Sequence, residues 1–182
     1  SGIKTDNFNG LINKKVNTIN PKIKLDLSDV NFKLNIPNFE FLVSTADPKV
    51  SINNKKIELE SLKFNLNIFD YLNNKNPITQ ISTETKQLNT DQLINFINEY
   101  EFNIARIFIL NQIKQGKVKI FSDIIFDQNK PKQLDYFVNG YVNDAQINLP
   151  NNLKAKNIKF DFKIDRDAIS FKGLELLFDK IF

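Results

Sequence analysis

From Ile23 to Phe171 apolar and polar residues alternate with a period of two over most of the chain, interrupted by Asn, Asp, Gly and Pro. Successive strand side chains point to opposite faces, so this pattern specifies a sheet with one apolar and one polar face. Ile23, Leu25 and Leu27 alternate with Lys24 and Asp26. A turn is expected near Ser28-Asp29, after which Val30, Phe32, Leu34 and Ile36 repeat the pattern until Pro37-Asn38. Phe39, Phe41 and Val43 form the next run, with a turn expected at Ala46-Asp47-Pro48. Val50 and Ile52 lead into Asn53-Asn54, a hairpin signal. Ile57 and Leu59 return, and Leu62, Phe64, Leu66 and Ile68 form another strand. Short runs joined by tight turns are antiparallel, because parallel pairs need long crossovers.

Helical spacing appears twice. Phe8, Leu11, Ile12, Val16 and Ile19 form an amphipathic stripe that Thr5 or Asp6 can cap and that Asn20-Pro21 ends. Ile78 to Thr85 reads as a strand; Asn89 then caps a helix, with Gln92 in capping-box position and Leu93, Phe96, Ile97, Tyr100 and Ile104 on one stripe. Gly116 marks its end, and strands resume at Val118 to Ile120 and Ile124 to Phe126. Val138, Gly140 and Val142 share one face, as do Ala145, Ile147 and Leu149; the change of parity requires a bulge near Asn143-Asp144. Ile158, Phe160, Phe162 and Ile164 alternate again, and Asp165-Arg166-Asp167 turns the chain into Ile169, Phe171 and Gly173. The expectation is an α+β, mostly β, single domain over residues 1–182: a helix over about 5–19, strands over about 22–85, helices over about 90–114 and strands over about 117–174.

A chain of 182 residues is long enough for one domain with an ordinary core. It contains no Cys and no His, so it has no disulfide, thiolate nucleophile or His-based general base, and neither a Ser-His-Asp nor a Cys-His arrangement is possible. The net charge is +4, but the Lys residues are scattered and Arg occurs only at Arg106 and Arg166, which does not describe a nucleic-acid surface. No Ca-binding loop, phosphate loop or dinucleotide fingerprint is present. Glu58 and Glu60 fall on outward strand positions and Asp165 and Asp167 in a turn, so both pairs read as surface or turn chemistry rather than as general acid and base. No catalytic residue, metal site or cofactor is assigned. No apolar run approaches the roughly 20 residues of a membrane span. Position 1 is not Met and the last residues, Leu176 to Phe182, are apolar-rich, which reads as a segment cut from a longer protein.

The apolar face is rich in Phe, of which the chain has 17. It either packs a closed core beneath the helices or lines an open groove for an apolar ligand such as an acyl chain. The candidate groove residues are Leu25, Leu27, Phe32, Leu34, Phe39, Phe41 and Val43, then Leu62, Phe64 and Leu66, then Val138, Val142, Ile147, Leu149, Phe160 and Phe162.

Two stretches carry a family resemblance. One runs from Ser1 to Asn9 with Leu11-Ile12 and leads into the strands from Leu25 to Val43; the other is Val138-Asn139-Gly140-Tyr141-Val142-Asn143-Asp144-Ala145-Gln146-Ile147-Asn148-Leu149-Pro150, followed by the strand from Ile158 to Ile164. Their G-x-V-x-D-A-x-I pattern resembles the AsmA-like family of Gram-negative bacteria. The resemblance implies a twisted antiparallel sheet folded like a taco around an open hydrophobic groove. It implies a periplasmic, N-proximal segment of a protein held in the inner membrane by an anchor absent from this chain. The implied function is non-enzymatic: phospholipid transfer between inner and outer membrane, or outer-membrane assembly. The implied partners are phospholipid acyl chains and envelope proteins, with no nucleic acid. The competing expectation is a closed-core scaffold that binds protein partners in envelope assembly through a strand edge.

Overall fold

The computed structural model describes residues 5–35, 37, 39–100, 112–127, 134–149 and 153–180. They form helix α1 (Thr5–Ile19), strands β1 (Ile23–Asn35), β2 (Glu40–Ile52) and β3 (Lys55–Asn67), and the short helix α2 (Ile68–Leu72). Strands β4 (Ile78–Thr85) and β5 (Leu88–Asn89), helix α3 (Thr90–Tyr100), and strands β6 (Ile113–Phe126), β7 (Leu134–Leu149), β8 (Leu153–Asp165) and β9 (Ile169–Lys180) follow. The protein is mostly β: one open, wholly antiparallel sheet in the order β1-β2-β3-β4-β6-β7-β8-β9, with β5 paired to β6. With β5 set aside, each strand neighbours the next in sequence, and β4 reaches β6 by way of β5 and α3.

Register turns the alternation of each strand into apolar rows that cross the sheet. Phe32, Val43, Phe64, Ile81, Ile124 and Tyr136 lie opposite one another in succession on β1 to β7. A parallel row joins Val30, Thr45, Leu62, Thr83, Ser122, Val138, Ile164 and Ile169, and its two central hydroxyls, on Thr83 and Ser122, share a hydrogen bond of 2.6 Å. That bond lets polar side chains sit on the apolar face without an unpaired group.

Several local expectations are corrected. The turns expected at Ser28-Asp29 and Ala46-Asp47-Pro48 do not reverse the chain. They are irregularities facing each other within continuous strands β1 and β2, with Asp47 at φ 44°. Pro48 offers no N–H to the ladder and Asp tolerates the left-handed region, so the pair kinks a strand as readily as it turns one. Leu59 and Leu62 likewise belong to one strand, β3, with a register shift between Leu59 and Ser61. Ile68 opens α2 instead of extending a strand: the Asn67 side chain accepts from the Asp70 N–H at 3.1 Å. Phe39 lies outside the strands, at φ 49° in the β1–β2 connection, with its ring 5.4 Å from that of Phe69. Residues 113 and 114 belong to β6 and not to a helix, and the last strand runs on to Lys180. Ile104 and the rest of the expected second helical stretch lie outside the described residues.

Other expectations hold. The helix ends before Pro21, Asn53-Asn54 makes the β2–β3 hairpin, and the Asn89 N–H donates to Gln92 Oε1 at 3.0 Å as the capping box requires. The bulge in β7 is present, with Asp144 at φ 54°. It is one of a line: β8 bulges at Asn157 (φ 51°) and β9 at Gly173 (φ 64°), so parity changes at the same level across three strands.

Candidate apolar binding face

Helices α1 and α3 lie on the apolar face. Ile12 and Val16, four residues apart on α1, are 0% and 5% exposed and join the main core with Val43, Phe64, Leu66 and Ile81. Leu93 and Phe96 of α3 pack on the same core. The far end of α3 is tied to the β2–β3 turn, where Glu99 Oε2 accepts from Asn53 Nδ2 at 2.7 Å. The Lys15 ammonium sits 3.9 Å from the ring centre of Phe126 on β6, and partial burial lowers its pKa below the ordinary lysine value.

Beyond β6 fewer of the described apolar residues are fully buried. Ala145, Ala155 and Ile158 form a second, small buried cluster. Phe160 and Phe162 are half-buried, and on β9 Ile169, Phe171, Leu174 and Phe178 are 64%, 64%, 63% and 67% exposed. The three Phe rings are in contact: Phe160 meets Phe171 edge-on at 5.7 Å and lies 6.5 Å from Phe162. Gly140 seats Phe162. A Cβ at that position would come within 2.8 Å of the Phe162 ring and collide with the Lys119 carbonyl oxygen. The glycine of the G-x-V pattern is therefore required by a close approach across β7 and β8. An apolar cavity of about 130 Å³ lies between α3 and β6 to β8; Ile94, Ile97, Val118, Val142, Ile158 and Phe160 line it. Phe160 is thus a wall shared by the cavity and the exposed face of β9.

The sequence-selected residues divide accordingly. Val43, Leu62, Phe64 and Leu66 are buried in the core. Leu25, Leu27, Phe32, Phe41, Val138, Val142, Ile147, Phe160 and Phe162 are half-buried. Leu34, Phe39 and Leu149 are 51%, 54% and 37% exposed. Sequence reasoning passed over Leu174, Leu176 and Phe178, because the bulge at Gly173 shifts their parity relative to Ile169 and Phe171.

The opposite face is ionic and hydrogen-bonded. Lys119 Nζ lies between Glu60 Oε2 (2.8 Å) and Glu84 Oε1 (2.6 Å), whose hydrogen bonds raise its pKa above the ordinary lysine value. Lys86 bridges Asp47 at 2.9 Å and Glu58 at 3.4 Å. Asp123 Oδ1 accepts from Ser82 Oγ at 2.5 Å and Gln80 Nε2 at 2.9 Å. Asp165 Oδ1 accepts from the N–H groups of Asp167 and Ala168, both at 2.9 Å, so this carboxylate serves its turn. Among the described residues no group of three or more Asp or Glu could hold a metal, and no helix is long and apolar enough to cross a membrane. A cleft of about 620 Å³ at the β1–β2 turn is lined by Lys33, Leu34, Glu40, Phe41 and Leu42, with no group of metal-ligating side chains among the described residues there.

No family model matches the sequence, and no solved structure matches it. A stretch is similar to reverse gyrase of Methanocaldococcus jannaschii, 31% identical over 113 residues. The match takes in 54% of this chain and only 7% of that protein.

Proposed function

We propose that this chain is a non-enzymatic, AsmA-like segment whose sheet offers an apolar face to phospholipid acyl chains. One observation carries the reading: the exposed apolar row on β9 is continuous, through Phe171 and Phe160, with the half-buried face of β7 and β8. Burying one methylene is worth about 0.8 kcal/mol, so contact with roughly ten methylenes would hold an acyl chain without any polar chemistry. The headgroup would remain in water, and transfer would be passive sliding. A curled, taco-like sheet is part of the proposal. Two features support it: the line of bulges on β7 to β9, since bulges bend strands and add twist, and the reach of α1 from β1 to Phe126 on β6, four strand spacings away. The periplasmic location and the inner-membrane anchor belong to the same proposal and rest on the family resemblance.

A second reading, a closed-core scaffold for envelope assembly, is favoured by the cover that α1 and α3 provide over the face of β1 to β6. Lipid extraction of the purified chain with mass spectrometry separates the two. Co-purified phospholipid supports the groove. A lipid-free preparation that takes up none from vesicles refutes it. The likeness to reverse gyrase, confined to 7% of that protein, contributes nothing to either reading.

A further inference from the structure

Protein interiors hold few voids larger than a water molecule, yet a cavity of about 130 Å³ lies under α3, where the buried core gives way to the open part of the apolar face. Leu93, Ile94 and Ile97 of α3 roof it, and residues of β6, β7 and β8 form its floor. The floor is low, because Val118, Val142 and Ala145 stand where bulkier side chains would fill the space. One wall, Phe160, is half-buried and meets the exposed Phe171 ring edge-on at 5.7 Å. A single side chain therefore separates the cavity from the open apolar surface. We infer that the cavity takes the methyl end of an acyl chain, which enters past the Phe160 ring. The inference rests on the reading of the open face as an acyl-chain site and adds to it a seat at its inner end.

Size and chemistry select the occupant. A cavity of about 150 Å³ lined by Leu, Ile and Phe holds benzene, so this one has room for roughly five or six carbons. Its surface is carbon throughout, although Thr90 is among its residues. A headgroup, a carbonyl or a charged group would find no hydrogen-bond partner there, and burying one unpaired is costly. A water would lack polar partners as well. The end of an unbranched hydrocarbon chain has no polar atom to satisfy and gains contacts with every wall. The rest of the chain then passes over the Phe160 and Phe171 rings onto the open face, with the headgroup in water. Sliding along the face thus acquires a stop, since a chain whose end is seated is held until that end withdraws.

Methyl NMR of the purified chain tests this. Benzene should shift the methyl signals of Ile94, Ile97, Val118, Val142 and Ile158, which line the cavity. Diheptanoyl phosphatidylcholine, kept below its micelle-forming concentration, should shift the same signals together with those of Ile169 and Leu174 on the open face, and should displace the benzene. Ile97→Phe fills the cavity. Losing the burial of even two methylenes weakens binding about tenfold, so this variant should bind the phospholipid at least about tenfold more weakly while Ile169 and Leu174 still respond. The competition is read in the wild type, so a variant that fails to fold leaves the test intact. Phospholipid that shifts Ile169 and Leu174 but neither moves the cavity methyls nor displaces benzene overturns the inference and leaves the acyl-chain face standing. Phospholipid that shifts neither set overturns both.

Discussion

Truncating Ile12 tests whether α1 is a cover on the sheet or an integral part of it. Ile12 is fully buried, and Ile12→Ala removes three carbons. At about 0.8 kcal/mol each, plus a cavity contribution, the loss is roughly 2–5 kcal/mol. The helix has little of its own to set against that. It is 15 residues long and contains Gly10 and four Asn, a composition that leaves an isolated helix marginal in water. The strands, by contrast, hold each other through continuous ladders from β1 to β9. The expected outcome is local: α1 detaches while the sheet persists. Hydrogen exchange should show the amides of residues 5–19 losing protection while those of β3 and β6 keep theirs. Binding of an apolar fluorescent dye should rise as Phe64, Leu66 and Ile81 are uncovered. If α1 amides stay protected in the variant while the whole chain loses stability, the helix is no separable cover, and the division into a covered and an open half of the face is wrong.

Gly140→Val forces a side chain against the Phe162 ring and the Lys119 carbonyl, an overpacking cost of about 1–3 kcal/mol. For a chain of this length a calorimetric Tm should fall by about 2–12 °C, and an unchanged Tm would remove the close-approach argument. Asp47 carries a pKa below its ordinary 3.8 because Lys86 donates to it and lies close, and the Lys86 pKa is raised in turn. A depressed carboxyl pKa gives stability that is present above 3.8 and lost as pH falls through the lowered folded value; the raised lysine gives stability lost only as pH rises above 10.5. The stability difference between the wild type and Asp47→Asn, from urea unfolding at several pH values, should therefore be flat through neutrality and shrink below 3.8. A difference that grows on acidification contradicts the pairing.

The period-two pattern made the faces of the strands legible, and the neighbours within β1 to β3 followed from short connections, whereas β4 meets β6 across the intervening β5 and α3. The parity change between Val142 and Ala145 even located a bulge. The same logic failed at Asp47-Pro48, where a bulge and a turn call for the same residue types, so two continuous strands were read as four runs. It failed at Ile68 because its parity continues that of Leu66, while the Asn67 cap that starts α2 is a single hydrogen bond. The amphipathic character of α1 and α3 was legible, but their docking over β1 to β6 was not, since it depends on contacts between residues far apart in sequence, such as Lys15 with Phe126 and Asn53 with Glu99. On β9, Gly173 moved Leu174, Leu176 and Phe178 onto the face already carrying Phe171, so what read as an apolar tail is the most exposed part of the candidate site.

The proposal that acyl chains lie on the open half of the face is most directly tested with a single fluorescent reporter. The chain has no Trp, so Phe171→Trp and Lys163→Trp place one indole on the apolar face or on the polar face of the same sheet region. Each variant is titrated with phospholipid carrying brominated acyl chains, which quench Trp on contact. Strong quenching at position 171 with little at position 163 is the expected result. Equal quenching at both positions, or none at position 171, would contradict an acyl-chain site on this face.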